Sequence, residues 1–95
     1  MKKILVISRH EIILASVLNR LYEQGFDAIG ALRNAEALSF LKTFKPDFVI
    51  LVGAFELADQ EDLTLDIIDY QPSMCIMLHR GSVKDLVIRV DNFYR

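Results

Sequence analysis

Cysteine is nearly absent. Cys75 is the only one in 95 residues, which excludes a disulfide framework and a cysteine-rich zinc site. Set in the apolar run "MCIML", it is expected to be buried as a small hydrophobe. Long hydrophobic runs are lacking too. No stretch of about 18 uninterrupted apolar residues exists, so no membrane span is expected. The opening "MKKILVISRHE" is basic and then apolar, but the run stops at Ser8, short of the roughly 7–15 residues of a signal-peptide core. No small-residue cleavage site follows, and a cytoplasmic protein is expected. Neither sign of charge dominates. A net charge of −2 and a pI near 5.6 give no general pull toward nucleic acid or an acidic membrane surface, and neither is expected as a partner. Repeats, linkers and low-complexity segments are missing, so residues 1–95 read as a single domain whose 53% hydrophobic content suffices for one core.

What is present alternates regularly. "KILVIS" is a continuous apolar run bounded by charge, as suits a strand buried on both faces. In "HEIILASVLNRLYEQG", Ile13, Leu14, Val17, Leu18, Leu21 and Tyr22 recur at spacings of three and four, and Gly25 is placed to end the helix. "FDAIGA" reads as a second strand. Asn34 can cap "AEALSFLKTF", where Ala37, Leu38, Leu41 and Phe44 share a face, and Pro46 stops that helix. "DFVILV" is strand three. "DQEDLTLDIIDYQ" is acidic at its start, as the helix dipole favours, and carries Leu63, Ile67 and Tyr70 inward. "SMCIMLH" is strand four. Strand–helix alternation with short connections implies a parallel sheet, doubly wound, with helices on both faces.

The last stretch, "RGSVKDLVIRVDNFYR", supports two readings. Ser82 and Asp85 form a capping box, and Val83, Leu86, Val87, Val90 and Tyr94 fall on one helical face. Against this, "LVIRV" is rich in β-branched residues. Only about six residues separate it from strand four, too few for a parallel crossover, so a strand there would pair antiparallel. The helix is the expectation.

The element order, with "KKILV", "GFDAIGA", "AEALSFLKTFKPDFVIL" and "PSMCIML", resembles the receiver domain of bacterial two-component response regulators over about residues 2–80. The resemblance implies a flavodoxin-like sheet of about four strands in the order 2-1-3-4, stopping before the family's strand five. It also implies a signalling role. Family members take a phosphoryl group on an aspartate ending strand three, with a magnesium ion, acidic ligands, a lysine and a Ser/Thr hydroxyl. Carried over, the phosphoacceptor corresponds to Val52, the acidic pair to Ser8 and Arg9, and the switch hydroxyl to His79. The small residue after it corresponds to Arg80 and the loop proline to Glu56, while Asp59 keeps the family's loop aspartate. The family's lysine has no clear counterpart. Aligning "DLVIRV" with the lysine-bearing strand would place Arg89 there, at the cost of deleting a helix. Val52 has no nucleophilic atom, and a guanidinium at Arg9 repels a metal ion. The chain therefore reads as a degenerate pseudo-receiver. It is not expected to be an enzyme or to need a cofactor; a protein-interaction module of a signalling pathway is expected.

Arg9, His10, His79 and Arg80 lie in loops leaving the edge where such sheets bind ligands. They could hold an anion or nucleotide. They could equally be solvated loop charges, some paired with Glu56, Asp59 or Glu11, since no Gly-rich phosphate loop is present. A zinc site from His10 and His79 lacks a third ligand. A likeness to cobalamin-binding domains, whose Asp-x-His-x-x-Gly pattern would fall on Ser8, His10 and Ile13, fails at two of three positions. Without a fifth strand, strand four would be an open edge. A homodimer is expected through Met74, Ile76, Leu78, Leu86, Val90 and Phe93, with Ile88 and Phe93 off the helix's main face.

Overall fold

The computed structural model describes residues 2–94. Eight elements alternate: β1 (Lys3–Ile7), α1 (Glu11–Glu23), β2 (Asp27–Ala31), α2 (Asn34–Thr43), β3 (Phe48–Val52), α3 (Leu57–Tyr70), β4 (Cys75–His79) and α4 (Val83–Phe93). The strands form one parallel sheet in the order β2-β1-β3-β4, the flavodoxin-like arrangement expected. β1 and β3 are the inner strands, with a neighbour on each edge and helices on each face. Residues 4–7 and 48–52 are accordingly apolar and all buried.

The side-chain alternation of the strands divides the core in two. Ile4, Val6, Phe48, Ile50 and Val52 face α1 and α4, meeting Leu14, Val17, Leu21, Leu86 and Val90. Leu5, Ile7, Val49 and Leu51 face α2 and α3, meeting Ala37, Leu41, Leu63 and Ile67. Gly25, in the left-handed region at φ 87°, ends α1 and turns the chain into β2, as its position after the last apolar turn requires.

The final segment is helical, so Arg89 does not lie on a strand. Ser82 Oγ accepts from the Asp85 amide at 3.1 Å, supplying the cap. Leu86 and Val90 are fully buried. Burying each is worth about 1.5–3 kcal/mol, which outweighs the β-branched bias of the local sequence.

Several expectations need correction. Leu86, Val90 and Met74 are buried within this chain's own core and are not on its surface; Ile76 is half-buried, while Leu78 and Phe93 remain about half exposed. Cys75 is exposed, at the first position of the edge strand β4. Tyr70 is also exposed. Tyr22 is 53% exposed, and its hydroxyl donates to Ala28 O at 2.7 Å. The N-cap of α2 is Arg33; Asn34 is the first helical residue, and its side chain is used elsewhere.

Candidate functional site

The loops leaving β1, β3 and β4 meet at one edge of the sheet. Ser8 is fully buried there, its amide donating to Ala31 O at 3.1 Å and its Oγ accepting from the His10 amide at 3.2 Å. Arg9 turns toward α2. It donates through Nη1 to Leu32 O at 2.8 Å and through Nη2 to Asn34 Oδ1, with the guanidinium 4.7 Å above the Phe55 ring. All three contacts are with neutral groups, so this arginine acts as a brace between the β1 and β2 exits.

Val52 is 4% exposed and belongs to the α1/α4 core. Gly53 follows at φ 89° and donates to His79 O at 2.8 Å, continuing the β3–β4 ladder past the last side chain of β3. His79, in register with Val52, is also 4% exposed. Its Nε2 lies 2.9 Å from Ser82 O and its Nδ1 2.9 Å from Arg89 Nη1.

The four basic residues therefore do not converge. Arg9 is tied to the β2–α2 side and His79 to α4. Their strands are separated by β3, a gap of about 9–10 Å at ordinary strand spacing. His10 and Arg80 are exposed. With both ring nitrogens of His79 engaged within the fold, it is not free to pair with His10 on a zinc ion. Ile13 packs against the core, leaving no glycine-like opening for a bulky cofactor.

The cleft at this edge, about 620 Å³, is lined by Arg9, Glu11, Leu32, Arg33, Asn34 and Asp59. It holds two positive and two negative side chains, which offers an anion no net attraction. Magnesium fits no better. At the two positions where the resemblance puts acidic ligands stand Ser8, whose hydroxyl is already bonded within its own loop, and the guanidinium of Arg9. Among the described residues no three His, Cys, Asp or Glu side chains are grouped to hold a metal ion.

Two partners escaped sequence reasoning. Nothing in the spacing marks Asn34 as the acceptor for Arg9, or Arg89 as the donor to His79. Both contacts join elements brought together only by the fold.

No protein-family model matches the chain, and no curated protein does. Solved structures do match. A response regulator receiver domain protein from Clostridium thermocellum superposes with a TM-score of 0.80 at 20% identity, covering 97% of this chain and 93% of the other. A receiver domain protein from Methanospirillum hungatei gives 0.80 at 14%, covering 98% and 93%. A response regulator from Thermotoga maritima gives 0.73 at 27%, covering 97% and 77%. The fold of this chain is the receiver fold.

Proposed function

We propose that residues 1–95 form a receiver-like domain that acts in bacterial signal transduction as a non-catalytic, phosphorylation-independent protein-interaction module, cytoplasmic and without a cofactor. One observation carries the proposal. The residue at the end of β3, where a phosphoacceptor would stand, is Val52, closed into the apolar core beside a fully hydrogen-bonded His79. Fold alone does not assign function, so the reading rests on these two side chains and on Arg9, which braces β2 where the resemblance would put an acidic metal ligand. Among the described residues no helix is long and apolar enough to cross a membrane.

Adding beryllofluoride and magnesium to the isotopically labelled protein tests this. Its amide spectrum should stay unchanged, whereas saturable shifts around Val52 and His79 would defeat the proposal. The alternative, an anion or nucleotide sensor using Arg9, His10, His79 and Arg80, draws less support because two of its four members are already engaged.

Self-association is a second reading, favoured by Leu78, which is 49% exposed on an open strand edge. Of the six residues expected at such an interface, Ile76, Leu78 and Phe93 remain available. A sedimentation mass that grows with concentration would be its signature.

A further inference from the structure

α3 is the most one-sided element in charge. It carries Asp59, Glu61, Asp62, Asp66 and Asp69 and no lysine, arginine or histidine. Its outer surface also keeps apolar side chains in water: Leu57 is 67%, Leu65 64% and Ile68 41% exposed. Helical spacing sets Glu61, Asp62, Ile68 and Asp69 around Leu65, at four and three residues before it and three and four after. Beside Leu65 and Glu61, Leu78 of β4 closes an open groove of about 360 Å³. Leu65 and Leu78 supply its apolar surface, Gln60 and Thr64 neutral polar groups, and Glu61 its carboxylate.

An exposed apolar patch rimmed by charge marks a contact surface. We infer that the α3–β4 groove docks an amphipathic helix of a partner protein, apolar on the docked face and flanked by lysine or arginine. This rests on the reading of the chain as an interaction module.

Three features select that occupant. Asp59 shares a cleft with Arg9 and Arg33, and Asp66 and Asp69 share one with Lys42, but Glu61 and Asp62, which flank Leu65 on a helix without a cation, call for a basic partner. A helix laid in a groove contributes side chains and needs no backbone bonds from its host. An added strand would need them, and the edge is partly closed to one. His79 O points inward to the Gly53 amide, so by strand alternation Leu78 O points outward, and Arg89 Nη1 already holds it at 3.1 Å. A second copy paired two-fold through β4 is disfavoured for a further reason. It would set one acidic α3 beside another on the same face of the sheet, like charge against like.

The test is a titration of the isotopically labelled protein with a synthetic helix bearing leucines at i, i+3, i+4 and i+7 and lysines elsewhere. One control peptide replaces the lysines with glutamates; another replaces the leucines with serines. Amide shifts should be confined to α3 and β4, and affinity should weaken with added salt. Each control should bind at least about tenfold more weakly, as should the Leu65→Lys and Glu61→Lys proteins. Leu65 and Glu61 are both exposed, so these variants retain the fold. Ile12→Lys, at a side chain 85% exposed on the opposite face of the sheet, should bind like the wild type.

Equal binding by the glutamate peptide would overturn the inference. So would shifts centred on α1 and α4, undiminished binding by Leu65→Lys, or a wild-type dimer that occupies the groove. Such a failure is distinguishable from failure of the interaction-module reading, which would appear as a phosphoryl group gained by the chain.

Discussion

Arg89 Nη1 lies 2.9 Å from His79 Nδ1, and the same nitrogen reaches Leu78 O at 3.1 Å, so one guanidinium ties α4 to the end of β4. A guanidinium only donates, so Nδ1 is the acceptor and Nε2 carries the proton toward Ser82 O. Both nitrogens of the buried imidazole are thus satisfied. Where the resemblance places a hydroxyl that reads phosphorylation, this chain has a side chain with nothing left to offer an incoming anion.

Arg89→Ala should lower stability by about 1–3 kcal/mol, because it leaves Nδ1 of a buried histidine without its charged donor. A urea titration measures this as a lower midpoint. The same variant uncovers Leu78 O and should raise the tendency of β4 edges to pair at high concentration. An unchanged midpoint would mean that the contact adds nothing.

Val52→Asp should not create a phosphorylation site, since Ser8 and Arg9 would remain where acidic metal ligands are needed. It should cost at least about 2 kcal/mol at neutral pH, the penalty of a carboxylate among Ile50, Leu86 and Val90. The loss should shrink below about pH 4, where the carboxyl is neutral in the unfolded chain as well. Denaturant titrations at the two pH values check both statements.

Tyr94 is the clearest pH-dependent group. Burial first, then the negative charge of Asp47 and of the Cys75 thiolate, push its phenol up from the usual 10.0. A raised folded value means that the folded state favours the neutral phenol. The stability this group supplies is therefore complete below about pH 10 and is lost as pH rises through the folded value. Its hydroxyl is buried with no hydrogen-bond partner among the described residues. Tyr94→Phe should accordingly raise stability by up to about 1 kcal/mol at neutral pH and flatten the alkaline decline. A destabilised Phe variant would show that the hydroxyl is bonded after all.

Phosphate and sulfate should raise the melting temperature of the wild type and of Arg80→Ala equally. Both salts stabilise compact states through exclusion from the surface, and the basic loops add nothing specific. A saturable rise lost in Arg80→Ala would revive the anion site.

The sheet was legible because β1 and β3 are buried on both faces and show it as unbroken apolar runs. α1 was legible from its apolar spacing, and α4 from Ser82 and its helical face. Three of the residues expected at a dimer interface, Met74, Leu86 and Val90, are interior for a physical reason. Sequence shows that Leu86 and Val90 need burial, but not that Leu14, Val17 and Leu21 of α1 provide it. Tyr70 fits the inward spacing of α3, yet it is the last residue of that helix and stays exposed. The site was legible only by subtraction. Val52 advertises a missing oxygen, whereas the Arg9–Asn34 and Arg89–His79 contacts depend on packing that no local spacing encodes.

The most direct test of the central claim is the intact mass of the wild-type chain after incubation with acetyl phosphate and magnesium. The account predicts a mass identical to that of the untreated protein, at every concentration of phosphodonor. A saturable gain of one phosphoryl group, dependent on magnesium and lost in alkali, would contradict it.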